Sequence, residues 1–286
     1  MQTQIEEASD YDFIIRLIYD RCRIRLHDGK HQLIKARLGK RMGHHGFETL
    51  AQYCHYLRQS AEEDEFTHLV DALTTNYTQF LRERDHFEFL VGTALPKLVG
   101  VRRNFRVWSA ACATGEEPYS MAFYLSESFP PEDGWDWRIN ASDISTKALT
   151  QAAQGIYPED RLETLPLEWR RKYLQKGQKN WEGHYRVKPQ LMDRVLFQQI
   201  NLLGDYGFRE TFEVIFCRNV MIYFDRPTQE QVVQRLAQFL VPGGYLLLGH
   251  SESLNGLNIG LRCLKPSIYQ NAECGVRSVE CGTNNR

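Results

Sequence analysis

The chain has 286 residues, with 35 Lys and Arg against 36 Asp and Glu, so its formal net charge at pH 7 is -1. Hydrophobic residues make up 42% and charged residues 25%, values ordinary for a globular protein. This balance excludes a chain drawn to nucleic acid or membrane by its overall field, and no apolar run approaches the length needed to cross a bilayer.

The opening MQTQIEEASD is acidic and polar, with neither the basic nor the apolar region of a secretory signal, so a cytoplasmic protein is expected. The first ninety or so residues read as helix. Residues 11–19 place Phe13, Ile14, Leu17 and Ile18 on one face, and residues 47–58 and 64–75 repeat that spacing. A small helical domain over 1–90 is expected, followed by a linker helix over 91–104 containing Pro96. Within the domain, residues 21–41 are strongly basic. Arg21, Arg23, Arg25, Lys30, Lys35, Arg37, Lys40 and Arg41 are opposed only by Asp28. Such a run is either a solvated helix pair or a surface for an acidic partner. No stacking aromatics interleave with it, so a nucleic-acid partner is not expected.

From Phe105 the pattern changes. Short apolar runs at 105–111, 137–143, 195–201, 212–219 and 245–250 alternate with helical stretches at about 117–128, 145–154 and 228–240. This alternation predicts an α/β fold, a doubly wound, mostly parallel sheet covered by helices, over residues 105–271. Ligands of such sheets bind at the carboxyl ends of the strands. Residues 157–194 interrupt the alternation with charge, Tyr and Trp, and are expected to form a small antiparallel insert. The sequence 272–286 has no periodicity and is expected to be disordered. The cysteines, Cys22, Cys54, Cys112, Cys217, Cys263, Cys274 and Cys281, are odd in number and include no CxxC pair. They point to neither a disulfide framework nor a metal site, and Cys112 and Cys217 read as small core residues.

The run VWSAACATGEEPYSMAF falls where the first strand turns into the first helix. Ser109, Ala110, Ala111, Ala113 and Gly115 would let a ligand approach the backbone, and Pro118 suits a first helical turn. Gly115 stands alone, so the fingerprint of phosphate binders is missing. Glu116 and Glu117 occupy the helix start where a pyrophosphate would sit, and they would repel it. They would welcome a cation, and S-adenosylmethionine carries a sulfonium and an ammonium but no phosphate. Asp143 ends the second strand, either as a ribose-binding acid or as the cap of the next helix. Arg218 and Asn219 are polar residues at the end of a buried run and need partners, a ligand being one candidate. Pro242, Gly243 and Gly244 predict a sharp turn before the last strand.

The strings TTNYTQFLRE (74–83), WSAACATGEEPYSMA (108–122), ASDIS (141–145), FCRNVMIYFD (216–225) and PGGYLLLGHSE (242–252), in this order, resemble the CheR-type chemotaxis receptor methyltransferases. An Asn-x-Thr-x-x-x-Arg helix before the sheet is the most distinctive part. The resemblance implies a helical domain, a doubly wound domain and a three-stranded antiparallel insert. It also implies transfer of a methyl group from S-adenosylmethionine to glutamate carboxylates of chemoreceptors, leaving S-adenosylhomocysteine. By the same resemblance, Asn76, Thr78 and Arg82 close over the cofactor, Glu117 receives its ammonium and Asp143 its ribose. Asn201 and Leu202 flank adenine, Arg218 and Asn219 contact the cofactor, and Tyr223 lies near the transferred methyl. Arg82 and Tyr223 are thus the expected catalytic positions. The basic segment, with Arg23, Arg25 and Arg37, is implied as the docking surface for receptor helices. Some relatives hold a receptor carboxyl-terminal peptide on the insert next to a glycine-rich turn. Here Lys179 stands where a second close glycine would be, so a tether-independent enzyme is expected. A glutamate side chain, with an ordinary pKa of about 4.3, is already anionic at pH 7 and needs no general base. Nothing in the sequence demands more than a monomer. The alternatives are a methyltransferase of another substrate and a non-catalytic cofactor-sensing module.

Overall fold

The structure, a computed structural model, describes residues 2–26, 31–59, 63–100 and 102–272. The expectation of disorder beyond residue 272 therefore lies outside the described residues. Four helices come first: α1 (Gln2–Cys22), α2 (His31–His44), α3 (Leu50–Gln59) and α4 (Glu63–Leu73). Apolar residues at helical spacing meet in one core: Ile14 and Ile18 of α1, Ile34 and Leu38 of α2, Tyr53 of α3, and Leu69 and Leu73 of α4. Beside this core lies a polar knot. The buried Glu65 carboxylate accepts from Arg41 Nε at 2.9 Å and from the Tyr53 hydroxyl at 2.6 Å, and meets His45 Nε2 at 2.9 Å. Burial alone would push the Glu65 carboxyl up, but these donors outweigh it and hold it at about 2. The basic run is thus no single helix. It spans the end of α1, the connection and α2.

After α4 the chain is irregular up to Glu83, where the Asn-x-Thr-x-x-x-Arg stretch was expected to be helical. Leu81 and Glu83 adopt left-handed φ angles of 57° and 54°, which a continuing right-handed helix does not allow. Tertiary bonds hold this linker instead. Arg161 donates to the Thr78 carbonyl at 3.0 Å, the Thr164 hydroxyl to the Phe80 carbonyl at 2.9 Å, and the Leu81 amide to the Ser120 hydroxyl at 3.0 Å. Next come α5 (Arg84–Phe89), a π-helical turn (Leu90–Ala94) and α6 (Leu95–Val99). Phe80, Phe87, Leu90, Leu95 and Val99 are buried with residues of the sheet. In packing, the sheet's unit therefore starts near Phe80, ahead of the limit at residue 90 read from helix spacing.

The remaining elements run β1 (Asn104–Ala110), α7 (Glu116–Ser128), β2 (Asp136–Asp143), α8 (Thr146–Gln154), β3 (Ile156–Pro158), α9 (Leu167–Tyr173), β4 (Leu174–Lys176), β5 (His184–Val187), α10 (Pro189–Met192), β6 (Val195–Gln199), β7 (Phe212–Phe216), α11 (Arg226–Gln238), β8 (Leu240–Leu247), β9 (Leu261–Lys265) and β10 (Ile268–Asn271). Seven strands form the main sheet in the order β6-β2-β1-β7-β8-β10-β9. The first five pair in parallel, and the β9–β10 hairpin closes one edge antiparallel. The expected α/β class is present, with the added hairpin. Its strands are short, and their alternation is too brief to announce them. β3, β5 and β4 form the expected antiparallel insert. Pro242 to Gly244 make no separate turn. They lie inside β8 as a bulge, where the register against β7 shifts between Phe212 and Val214.

Chain order turns back beside β1: β2 and β6 lie to one side, β7 and β8 to the other. The carboxyl ends of β1 and β7 thus frame a crevice at the topological switch point. The helical domain sits across it, tied down by the Tyr19 hydroxyl on Asp225 at 2.5 Å and by Thr146 on Asp71 at 2.9 Å.

Glu65 and His86 each contribute to the acid response of the fold. The Glu65 carboxyl lies below its ordinary 4.5, so its contribution is whole above pH 4.5 and is lost as pH falls towards 2. Burial, aided by the charge of Arg218, lowers the His86 imidazole from 6.5 to about 4. Its contribution is whole above pH 6.5 and is lost as pH falls towards 4. Urea titrations should therefore show stability declining in both windows. Glu65→Ala should cost about 3 kcal/mol at pH 7 and flatten only the lower window. A Glu65→Ala variant as stable as the parent would remove this knot from the account of the helical domain.

Candidate active site

A cavity opens at the switch point, between the linker and the helical domain on one side and the sheet on the other. Asn76, Thr78, Arg82, Glu117, Asp143, Asn201, Leu202, Arg218, Asn219 and Tyr223 all line it, so residues scattered over the sequence meet in one place.

The β1–α7 turn forms the cavity floor. Ala111, Ala113 and Gly115 alternate in left-handed conformations, with φ of 69°, 48° and 94°. Only small residues tolerate such a path at low cost, and alanines held there store strain typical of ligand-binding turns. A Cβ on Gly115 would fall 2.8 Å from both the Ala152 Cβ and the Tyr157 hydroxyl, so glycine is required. The turn is fixed to the neighbouring strand by the Cys112 amide donating to the Ser142 carbonyl at 2.8 Å.

The two acids at the start of α7 diverge. Glu116 is buried away from the cavity, accepting from Thr114 at 2.6 Å with Arg161 at 3.7 Å. Glu117 faces the cavity and accepts from the Ser109 hydroxyl at 2.7 Å and from Arg218 at 3.0 Å. Burial pushes the Glu117 carboxyl up, against the pull of Arg218 and Ser109.

Asp143 is 6% exposed. Its Oδ2 accepts from the Ala113 amide and its Oδ1 from the Ser145 amide, each at 2.9 Å. It does not cap α8. Ser145 does, accepting from the Ala148 amide at 3.1 Å. A carboxylate has about four acceptor positions, so Asp143 keeps capacity for donors arriving from the cavity. Burial raises its carboxyl, opposed by the amides of Ser145 and Ala113.

Arg218 lines the cavity and is also bonded within the protein. Its guanidinium donates to Glu83 at 2.9 and 3.2 Å, to Glu117 at 3.0 Å and to the Arg82 carbonyl at 2.5 Å. It also lies over the rings of Phe87 and Phe216, at 5.4 and 5.6 Å from their centroids. Four of its five N–H donors go to protein, so it serves as the counter-charge of the two carboxylates. Asn219, left-handed at φ 58°, donates to Glu83 at 3.3 Å, and its amide is held by the buried Glu252 at 2.8 Å. A Cβ on Gly249 would lie 2.3 Å from the Asn219 side-chain nitrogen, so a bare backbone is needed there.

Two family models match the chain: the CheR methyltransferase all-alpha domain over residues 9–74, and the CheR methyltransferase SAM binding domain over residues 76–269. The chain belongs to the CheR methyltransferase family. A chemotaxis protein methyltransferase of Salmonella typhimurium is 40% identical over 258 residues, covering 89% of this chain and 88% of its own. One from Borreliella burgdorferi is 37% identical over 264 residues, covering 90% and 92%. The chain is accordingly an S-adenosylmethionine-dependent methyltransferase with a role in chemotaxis.

The cavity of this methyltransferase fits that cofactor. The Asp143 carboxylate has spare acceptor capacity, Glu117 offers negative charge, and the turn at Ala111 and Ala113 keeps side chains out of the way. The Asn201 side chain lines the cavity and also bonds within the protein. It donates to the Arg21 carbonyl at 3.1 Å and accepts from the Leu203 amide at 3.1 Å, so it ties the cavity edge to the end of α1. Asn76 donates to the Ser145 hydroxyl at 3.1 Å and joins the linker to α8. Arg37 was expected on a docking surface. Instead its guanidinium donates to the carbonyls of Leu73 and Thr74 at 2.7 and 3.2 Å and to Thr75 at 3.1 Å, closing the end of α4. Sequence reasoning missed Glu83 and Glu252. Glu83 lies in a charge run that reads as solvated surface, and the only signal for either was its place inside a motif string.

Glu83, His86 and His250 offer ligand atoms within 4.8 Å of one another. Glu83 is committed to Arg218, and His250 meets Asp85 at 3.0 Å, so a metal ion would have to displace one guanidinium charge and lie beside it. The cluster does not suit a cation.

Asp143→Ala should weaken S-adenosylmethionine binding on the order of 100-fold by calorimetry, since each hydrogen bond to a charged group contributes about 1.5–3 kcal/mol. An unchanged affinity would reject the ribose assignment. Arg218→Met should cost about 3–5 kcal/mol in urea unfolding, because it leaves Glu83 and Glu117 buried without their cation. A cost below about 1 kcal/mol would mean that the pair of carboxylates does not depend on it.

Proposed function

We propose that this methyltransferase acts in the cytoplasm and methylates glutamate side-chain carboxylates of chemoreceptors. The observation that carries the reading is the cavity mouth. Among the described residues that line the cavity there is no histidine, and the two carboxylates, Glu117 and Asp143, are already bound to protein donors. An amine acceptor would need a base to remove its proton. A carboxylate, anionic at pH 7, needs only to be held and aimed. The names of the relatives, chemotaxis protein methyltransferases, agree with this acceptor.

S-adenosylmethionine, when bound, supplies an electrophilic methyl on a cationic sulfur. Asp143 accepts the ribose hydroxyls, Glu117 receives the ammonium, and Asn201 and Leu202 border the adenine. Asn76 and Thr78 close the linker side, and Asn219 holds the cavity edge through Glu83 and Glu252. Arg82, half-buried at the cavity with, among the described residues, only a long 3.4 Å contact to the Tyr77 carbonyl, orients the acceptor carboxylate. Its looseness suits the task, because a tight grip on the nucleophile would stabilise the ground state. Tyr223 orients the reacting groups. Burial from water favours the meeting of anion and cation, since both lose charge as the bond forms.

Transfer of labelled methyl to chemoreceptor-bearing membranes, followed by alkali, tests the reaction. Alkali-labile label on the receptor is expected, and an alkali-stable label would mean another acceptor atom. Tyr223→Phe should lower kcat about tenfold or more while leaving cofactor affinity within about twofold. A loss of affinity alone would move Tyr223 away from the reacting groups.

A further inference from the structure

The linker over residues 74–83 forms neither helix nor strand, so its backbone carbonyls need partners from elsewhere. Three arginines from three parts of the molecule supply some of them. Arg37 of α2 takes the carbonyls of Leu73 and Thr74, and Arg218 at the end of β7 takes that of Arg82. Between these two pins stands Arg161, in the helical turn Glu159–Leu162 of the antiparallel insert. Its guanidinium donates to the Thr78 carbonyl at 3.0 Å and lies 3.7 Å from the buried Glu116 carboxylate at the start of α7. Three residues on, the Thr164 hydroxyl donates to the Phe80 carbonyl at 2.9 Å.

The same insert holds the opposite side of the cavity. Tyr157 of β3 is fully buried, and its hydroxyl donates at 2.8 Å to the carbonyl of Thr114, in the turn that forms the floor. Its ring meets that of Phe80 edge-on, with centroids 4.9 Å apart. Linker and floor are thus both fastened to β3 and the turn after it. The cavity is lined by Asn76, Thr78 and Arg82 on the linker side and by Ala111 and Ala113 on the floor, but by none of the described residues of the insert. Its width is therefore set in part by a segment that does not touch its contents.

We infer that Arg161 is a positioning residue for the methyl donor, the latch by which the insert holds the linker down over the cofactor. The latch depends on the S-adenosylmethionine site and on no choice of methyl acceptor. Without the Arg161 bond the Thr78 carbonyl is released, and Thr78 and its neighbours lose their fixed height above the floor. The Arg161 side chain is 41% exposed, so its removal opens no buried void. Coupling of this kind is reciprocal. If the insert holds the linker against the cofactor, bound cofactor must in turn steady the insert.

The test uses the full-length protein and S-adenosylhomocysteine, which binds without reacting. By calorimetry, Arg161→Ala should weaken its affinity about tenfold, and Arg161→Lys should recover part of the loss. In the parent, bound ligand should slow hydrogen exchange across residues 156–187 by up to about tenfold, and this slowing should vanish in Arg161→Ala. Without ligand, the unfolding midpoint of Arg161→Ala should stay within about 3 °C of the parent. A residue that merely stabilised the insert would lower that midpoint and speed exchange equally with and without ligand. That result would overturn the inference, as would an unchanged affinity or a parent insert indifferent to ligand. If Arg161→Ala does not fold, Arg161→Met, which keeps the aliphatic stem but no donor, replaces it under the same criteria.

Discussion

The buried guanidinium of Arg218 joins three segments far apart in the chain: the linker at Glu83, the start of α7 at Glu117 and the end of β7 itself. Removing a cation from water costs several kcal/mol, which only close, well-aligned anions offset. Here two carboxylates, the Arg82 carbonyl and two aromatic rings supply that compensation. The geometry of the site follows. With its own carbonyl bound, Arg82 has its backbone set. With Glu83 drawn inwards, the linker turns left-handed on both sides of Arg82. With Glu117 turned to Arg218, the first turn of α7 faces the cavity.

Charge is sorted by depth. The acids Glu117 and Asp143 are buried at the floor, each already sharing its oxygens with protein donors, and the uncommitted cations lie nearer the opening. A cationic donor and an anionic acceptor approached from opposite sides of such a cavity would each meet charge of the opposite sign. Neither would need a group that gives or takes a proton. The reaction class asks for alignment and dryness, which strands, capped helices and a packed linker provide.

Much of this was legible in the residues. The change from helical spacing to alternating apolar runs at Phe105 located the sheet, and residues 157–194 stood out by composition. The candidate positions do share one cavity, because in a doubly wound sheet they all follow strand ends at the switch point. What was hidden is tertiary. The linker reads as helix, since nothing local records that Leu81 and Glu83 turn left-handed to satisfy Ser120 and Arg218. Glu83 reads as solvated because its partner lies 135 residues away. Arg37 reads as surface because the carbonyls it satisfies belong to another helix. The β9–β10 hairpin is short and joins an edge, where pairing with β8 rather than its own pattern makes it a strand.

The cavity walls draw on two packed cores, that of the helical domain and that on one face of the sheet, and Ile24 packs against both. Any ligand that touches both walls adds its binding free energy to what holds them together, about 4 kcal/mol at a thousandfold excess over its dissociation constant. The joint between the cores therefore tightens with supply of the small molecule and slackens when it is scarce. A ligand spanning the cavity would thus raise the force needed to part the helical domain from the sheet.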